Sequence, residues 1–171
     1  MSSAPASWES RLADLWQTLP GQEPARFREL VEALVGELPA GDARGLFELA
    51  CAQDSTGHSE LAVPLYRAAL DKGLSGTRRR RATIQLASSL RNTGNFEEAL
   101  SLLEAESLQP DDELSSAVAA FRALALSSLG REREALAHAL SALAGHLPRY
   151  NASLGRYAAE LLPGAREEPA A

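Results

Sequence analysis

With 171 residues, 45% of them hydrophobic and only 5% aromatic, the chain can bury a core built mainly from Leu, Ala and Val, which suits close-packed helices better than a β-sandwich. Its net charge of -6 argues against generic nucleic-acid binding, and the single cysteine, Cys51, excludes an internal disulfide and a cysteine-rich metal site. No apolar run approaches the roughly 18 residues that span a bilayer, and Met1 to Pro5 lacks the basic and apolar regions of a signal peptide, so a cytoplasmic location is expected.

In chain order, residues 1–6 carry small residues and Pro without periodicity and are expected to be disordered. Behind Ser7, a good N-cap, Trp8, Leu12, Leu15, Trp16 and Leu19 recur at helical spacing, and Leu19-Pro20-Gly21 ends that first helix. A second helix follows the Gln22-Glu23-Pro24 break, with Pro24 at N1 and an apolar stripe of Phe27, Leu30, Val31, Leu34, Val35 and Leu38. From Asp42 onward the pattern repeats: Gly57, Gly94 and Gly130 stand 37 and 36 residues apart, each followed five residues later by an alanine, Ala62, Ala99 and Ala135. Such a glycine permits a tight turn between two helices, and the alanine lets those helices approach closely.

In the first repeat, Leu46, Leu49, Ala50 and Gln53 precede the glycine, and Leu61, Ala62, Leu65, Ala69 and Leu70 follow it. In the second, Thr83, Leu86, Ala87 and Leu90 precede it, and Phe96, Ala99, Leu100 and Leu103 follow. The third is less regular before Gly130, with Ala135, Leu136, Ala139, Leu140 and Leu143 after it. A last segment, opening at Pro148 with Tyr150, Leu154, Tyr157, Ala158 and Leu161 on one face, is expected to cap the stack. Residues 163–171 are again expected to be disordered, leaving a single helical domain over residues 7–162: a helix pair over 7–38, three repeats over 42–147 and a capping helix over 148–162.

The run Gly94-Asn95-Phe96-Glu97-Glu98-Ala99-Leu100 resembles the turn and second-helix start of a tetratricopeptide repeat, as do Gly57…Ala62…Tyr66…Ala69 and Gly130…Ala135…Ala142. The stretches Asp54-Ser55-Thr56-Gly57, Ala62-Val63-Pro64-Leu65-Tyr66-Arg67 and Gln85-Leu86-Ala87-Ser88-Ser89-Leu90-Arg91-Asn92 are similar to a bacterial subgroup of that family, group five. The resemblance implies an all-α, right-handed α-α superhelical solenoid of about three repeats, with N-terminal helices and a C-terminal capping helix, that recognises other proteins. Three positions depart from the pattern: the spacing is two or three residues longer than 34, Glu106 replaces a small residue, and Arg122 replaces a Leu. Pro64 falls inside a helix, near enough to its start to bend rather than break it.

In such a stack the first helix of each repeat lines a concave groove, so the expected partner contacts are Phe47, Asp54, Arg81, Gln85, Ser88, Arg91, Asn92 and Phe121, with Cys51, Ser55, Leu124 and Ser128 beside them. The groove is then polar and cationic in its middle, suited to a peptide bearing a carboxylate. Family members that clamp a terminal carboxylate use Lys and Asn where Phe47 and Cys51 stand here, so the resemblance does not extend to that clamp. The alternative role for Gln85, Ser88, Arg91 and Asn92 is to tie adjacent repeats together, with Arg91 paired to Asp54 and Asn92 capping the turn. Arg78 to Arg81 open a helix at its positive end, where the macrodipole disfavours cations, so either acidic neighbours or an anionic partner must favour them.

No catalytic constellation, metal-ligand spacing or cofactor motif stands out. Asp54-Ser55-Thr56-Gly57 reads as turn chemistry, not as a protease motif, and His58, His138 and His146 lack ligand spacing. Phosphate-loop and dinucleotide glycine patterns are absent, Cys51 has no histidine beside it in sequence, and the sequon Asn151-Ala152-Ser153 carries no weight without secretion. The expected function is a non-enzymatic scaffold for an unidentified protein or peptide, without cofactor, nucleic acid or membrane. A different expectation is a self-associating module, a homodimer formed through the first helix with Trp8 and Trp16.

Overall fold

The repeated glycines act in the same way three times over. In the computed structural model, which describes residues 7–162, Gly94 has φ 86° and ends helix α5 (Gly76–Asn92). The Gly94 N–H donates to Arg91 O at 3.1 Å and the Asn95 N–H to Leu90 O at 2.9 Å, the paired bonds of a Schellman end. The same 6→1 bond recurs after Gly57 (φ 87°), from the His58 N–H to Gln53 O at 2.9 Å, and after Gly130 (φ 72°), from the Arg131 N–H to Leu126 O at 3.0 Å. One turn of chain, printed three times in the sequence, therefore folds three times into one geometry.

A Cβ on Gly94 would meet nothing within 4 Å, so the cost of an L side chain there is conformational. Gly94→Ala is expected to cost about 1 kcal/mol and Gly94→Val about twice that. Urea unfolding checks this, and equal midpoints for wild type and both variants would contradict it.

Around these turns the chain forms α1 (Trp8–Gln17), a 3-10 turn (Leu19–Gly21), α2 (Pro24–Val35), α3 (Ala43–Ser55), α4 (Ser59–Asp71), α5, α6 (Phe96–Ser107), α7 (Ser115–Ser128), α8 (Glu132–Ala144) and α9 (Asn151–Ala159). Among the described residues there is no strand. The caps are local: Ser7 Oγ accepts from the Ser10 N–H, Glu23 caps α2 ahead of Pro24, and an Asp42 carboxylate oxygen accepts from the Arg44 N–H. The α4 helix runs unbroken through Pro64. Pro64 and Glu60, whose carbonyl loses its i+4 donor, are both exposed, so water can replace that bond.

The helices fall into two compact units whose boundary lies within α5, between Ala82 and Thr83. In the first, α2 packs on α3 and α3 on α4. Gly45 allows the close approach of α2 and α3, since a Cβ there would lie 2.8 Å from Val35 Cγ1. Phe27, Val31 and Ala52 form a buried cluster with Leu15, Trp16, Leu19, Val35 and Leu49 against it, and the Trp16 and Phe27 rings meet edge to face at 5.0 Å. In the second unit α6, α7, α8 and α9 pack in succession. Its seams hold small residues such as Ala99, Ala123, Ala125, Ala135, Ala137 and Ala158, all buried.

Several boundaries and faces differ from the sequence expectation for stated reasons. The last helix starts at Asn151, not Pro148, because Tyr150 adopts φ 66° and breaks the helical path. Tyr150 and Tyr157 are exposed, while Ala158 takes the packed position. Leu61, Leu136 and Leu143, expected on packed stripes, are about half exposed at 50%, 49% and 48%, because neighbouring helices close on the alanines instead. Leu38 lies beyond the end of α2. Glu106 is buried, and Arg122 reaches Glu104 Oε1 at 3.3 Å, so both departures from the repeat pattern are accommodated within regular helices. The segments 1–6 and 163–171, where disorder is expected, lie outside the described residues.

Candidate functional site

Helix α5 carries five arginines, Arg78 to Arg81 and Arg91, and no carboxylate. Its first turn is accessible, with Gly76 and Thr77 exposed and Arg78 and Arg79 half-buried, and beyond it accessibility narrows to one line. From Ala82 to Leu90 every residue is buried except Gln85 and Ser88, which are half-buried, and the line ends in exposed Arg81 and Asn92 with half-buried Arg91 beside Asn92. Positions 81, 85, 88 and 92 follow i, i+4, i+7 and i+11 and so share one face of the helix. With Arg91 they are the α5 positions named from the sequence as partner contacts.

The arginines on that helix divide into two kinds. Arg78 is held: its guanidinium grips the Glu9 carboxylate of α1 and places Nε 3.4 Å from Glu48 Oε1 of α3. That contact with Glu9, with help from Glu48, raises the Arg78 pKa further above its ordinary value. Arg79 and Arg80 also have interactions of their own. Of the two alternatives for this cationic run, acidic neighbours are present at Arg78, brought by α1 and α3.

Arg81 and Arg91 differ. The Arg81 guanidinium lies over the Phe47 ring, 5.2 Å from its centroid, where the ring quadrupole orients it. Arg91 donates from Nη2 to Asn92 Oδ1 at 3.1 Å, while its buried Nε meets no acceptor. Among the described residues neither arginine has a carboxylate oxygen within ion-pair distance.

Beneath Arg81, Phe47 is fully buried and packs on Tyr66 with centroids 6.2 Å apart. Phe47 was expected to touch a partner; it lies in the core instead, because Tyr66 of α4 and the stacked guanidinium cover it. Cys51 is buried in the same layer, where the Tyr66 hydroxyl reaches its Sγ at 3.7 Å and burial pushes the thiol up to about 12. A thiol held protonated in this way is a packing group. Asp54 is half-buried and accepts from Ser59 Oγ at 3.1 Å, a local turn contact. In the second unit Phe121 is half-buried and Leu124 is exposed on α7.

Sequence reasoning missed Glu48 and α1's part around it. Glu48 is only 4% exposed, accepts from Trp16 Nε1 at 2.9 Å, and faces Arg78. Burial raises its pKa, opposed by the Trp16 hydrogen bond and the two arginines Arg78 and Arg81. A glutamate on a helical stripe between Phe47 and Leu49 was the available signal. Both tryptophans are engaged within their own chain, Trp8 Nε1 donating to Leu34 O at 2.8 Å. Arg11 forms a two-pronged pair with Glu37 as well. Among the described residues no group of three or more His, Cys, Asp or Glu could hold a metal, and no helix is long and apolar enough to cross a membrane.

Successive helix-turn-helix units with one Schellman turn per repeat define a helical-repeat protein. Comparison with protein families bears this out: residues 43–161 match the family described as Tetratrico peptide repeat, and the chain belongs to that family. Repeats of this kind serve as protein–protein interaction modules and are generally non-catalytic. No curated protein and no solved structure matches the chain. The matched region omits α1 and α2, which are additions to the repeats.

Proposed function

We propose that this protein is a non-enzymatic scaffold that binds a segment of another protein along the accessible face of α5. The observation that carries this reading is that a helix without acids, in a protein of net charge -6, presents an exposed Arg81 over the Phe47 ring in the first unit and a half-buried Arg91 on Asn92 in the second. Both guanidiniums are positioned before any partner arrives, one by a ring and one by an amide, so little side-chain entropy remains to be lost on binding. Further contact residues in this reading are Asp54 of α3 in the first unit and Gln85, Ser88, Asn92 and Phe121 in the second. A partner presenting carboxylates fits this charge pattern.

The test is crosslinked capture from a lysate of the source organism, comparing wild type with the double variant Arg81→Glu, Arg91→Glu. A protein captured by wild type and lost with the variant, while circular dichroism and the melting temperature stay nearly unchanged, is the expected result. Identical captures would reject the α5 face, and a melting temperature lowered by many degrees would show the arginines to be structural ties.

A further inference from the structure

Among the described residues, helix α8 of the second unit keeps one apolar stripe uncovered. Ala135, Ala137 and Ala144 are buried where α7 and α9 pack on the helix, yet Leu136, Ala139 and Leu143 are exposed. Their spacing of three and four residues sets them on one line, the pattern of a seam between two helices. The two ends of that line differ in charge. Glu132, four residues before Leu136, opens it and is exposed. Its arginine neighbours are engaged within the chain, Arg131 with Glu134 at 2.7 Å and Arg133 Nε with Leu161 O at 2.9 Å. Arg133 also holds Glu160 O at 3.3 Å, which brings a further acid to this end. Past the other end, residues 145–150 contain exposed Arg149 and no acid. Among the described residues neither Glu132 nor Arg149 has an ion pair.

Acid, leucine, alanine, leucine, base is an order that becomes its own complement when reversed, which is the property of an isologous interface. A two-fold axis near Ala139 sets Leu136 of one copy against Leu143 of the other, twice, and the small alanine lets the helices approach. The same axis brings the acidic end of each α8 to the basic end of its mate and opposes the two helix dipoles. A parallel pairing would instead bring like charges together. We infer that α8 is a self-association face, through which two copies of this chain pair antiparallel about Ala139. One helical stripe buries well under the roughly 800 Å² per partner of a standard interface, so the dimer is weak and forms at high protein concentration. The face lies wholly within the second unit and does not depend on the reading of α5.

Sedimentation equilibrium of the full-length chain at low salt, up to roughly 1 mM, reads the association. Wild type is expected to dimerise within that range and Leu136→Asp to remain monomeric. Glu132→Arg and Arg149→Glu should each weaken the dimer roughly tenfold, because each spoils a pair on both sides of the axis, and the double variant should return to within about threefold of wild type. Circular dichroism of each variant confirms that the helices are intact. A chain monomeric throughout, or a dimer unchanged by Leu136→Asp, overturns the inference, the second result moving self-association to another surface. A double variant no tighter than the single ones overturns the antiparallel order. If the full chain is monomeric and only a chain ending at Leu162 dimerises, residues 163–171 and not a second copy cover the stripe, and the inference fails.

Discussion

Replacing Phe27 by Ala is expected to destabilise the first unit by about 3–5 kcal/mol, the range for truncating a fully buried aromatic residue. Phe27 has no exposed surface, meets Trp16 edge to face, and joins Val31 and Ala52 in the cluster that α1 and α2 share with α3. The lost ring leaves a cavity among Leu15, Trp16, Leu19 and Leu49, which belong to three different elements and cannot close on it without moving helices. For a chain of this size such a loss lowers the melting temperature by roughly 10 °C. Both tryptophans of the protein lie on α1, so their fluorescence reports this unit directly. Tryptophan emission should therefore shift at lower urea in the variant than in wild type. An unchanged fluorescence midpoint would mean that α1 and α2 do not share a core with α3.

The second large effect is expected at Arg78→Met, where the sign of its pH dependence is the diagnostic. Burial already raises the Glu48 pKa in the folded protein, so the folded state holds the Glu48 proton to higher pH than the unfolded chain does. Between the ordinary glutamate value and that raised value, the unfolded state binds fewer protons, and stability falls as pH rises through the window. Arg78 limits that fall by charge and by its contact with Glu48. Without it the carboxylate is left buried beside Trp16 and the more distant Arg81, its pKa rises further, and the penalty grows and extends to higher pH.

Removing one partner of a fully buried ion pair costs about 3–5 kcal/mol; because Arg78 is 28% exposed and two other partners of Glu48 remain, about 2 kcal/mol is expected at pH 7.5. Urea unfolding should show that loss shrinking at pH 4.5, where protonation of Glu48 relieves the buried charge. In the background of Glu48→Gln, which keeps an acceptor for Trp16 and removes the charge, the part of the pH dependence due to Glu48 should vanish. A loss equal at both pH values, with or without Glu48→Gln, would assign the role of Arg78 to its pairing with Glu9 alone.

Helix α1 takes part in both experiments, although the family match leaves it out. It contributes Leu12, Leu15 and Trp16 to the first unit and Glu9 to the start of α5. Its ionic and apolar contacts fall on α2, α3 and α5, so the addition extends the first repeat instead of hanging from it.

What the sequence by itself determined were the features set by short-range chemistry. Helix order, the three glycine turns and the small residues after them could be read because φ above zero, N-caps and close helix approach each demand particular residue types within five or six positions. That Arg81, Gln85, Ser88 and Asn92 share one helical face was legible for the same reason, since helical spacing alone sets it. Tertiary structure decided the rest. Whether an aromatic faces out or in depends on what a distant helix lays over it, so Phe47 went into the core once Tyr66 and the Arg81 guanidinium closed on it. Glu48 and Arg78 are thirty residues apart, and Glu9 and Arg78 sixty-nine; no local rule joins them, and only the packing of the first unit brought these acids to Arg78 in a run that the helix start disfavours. The same packing left Arg81 over the Phe47 ring.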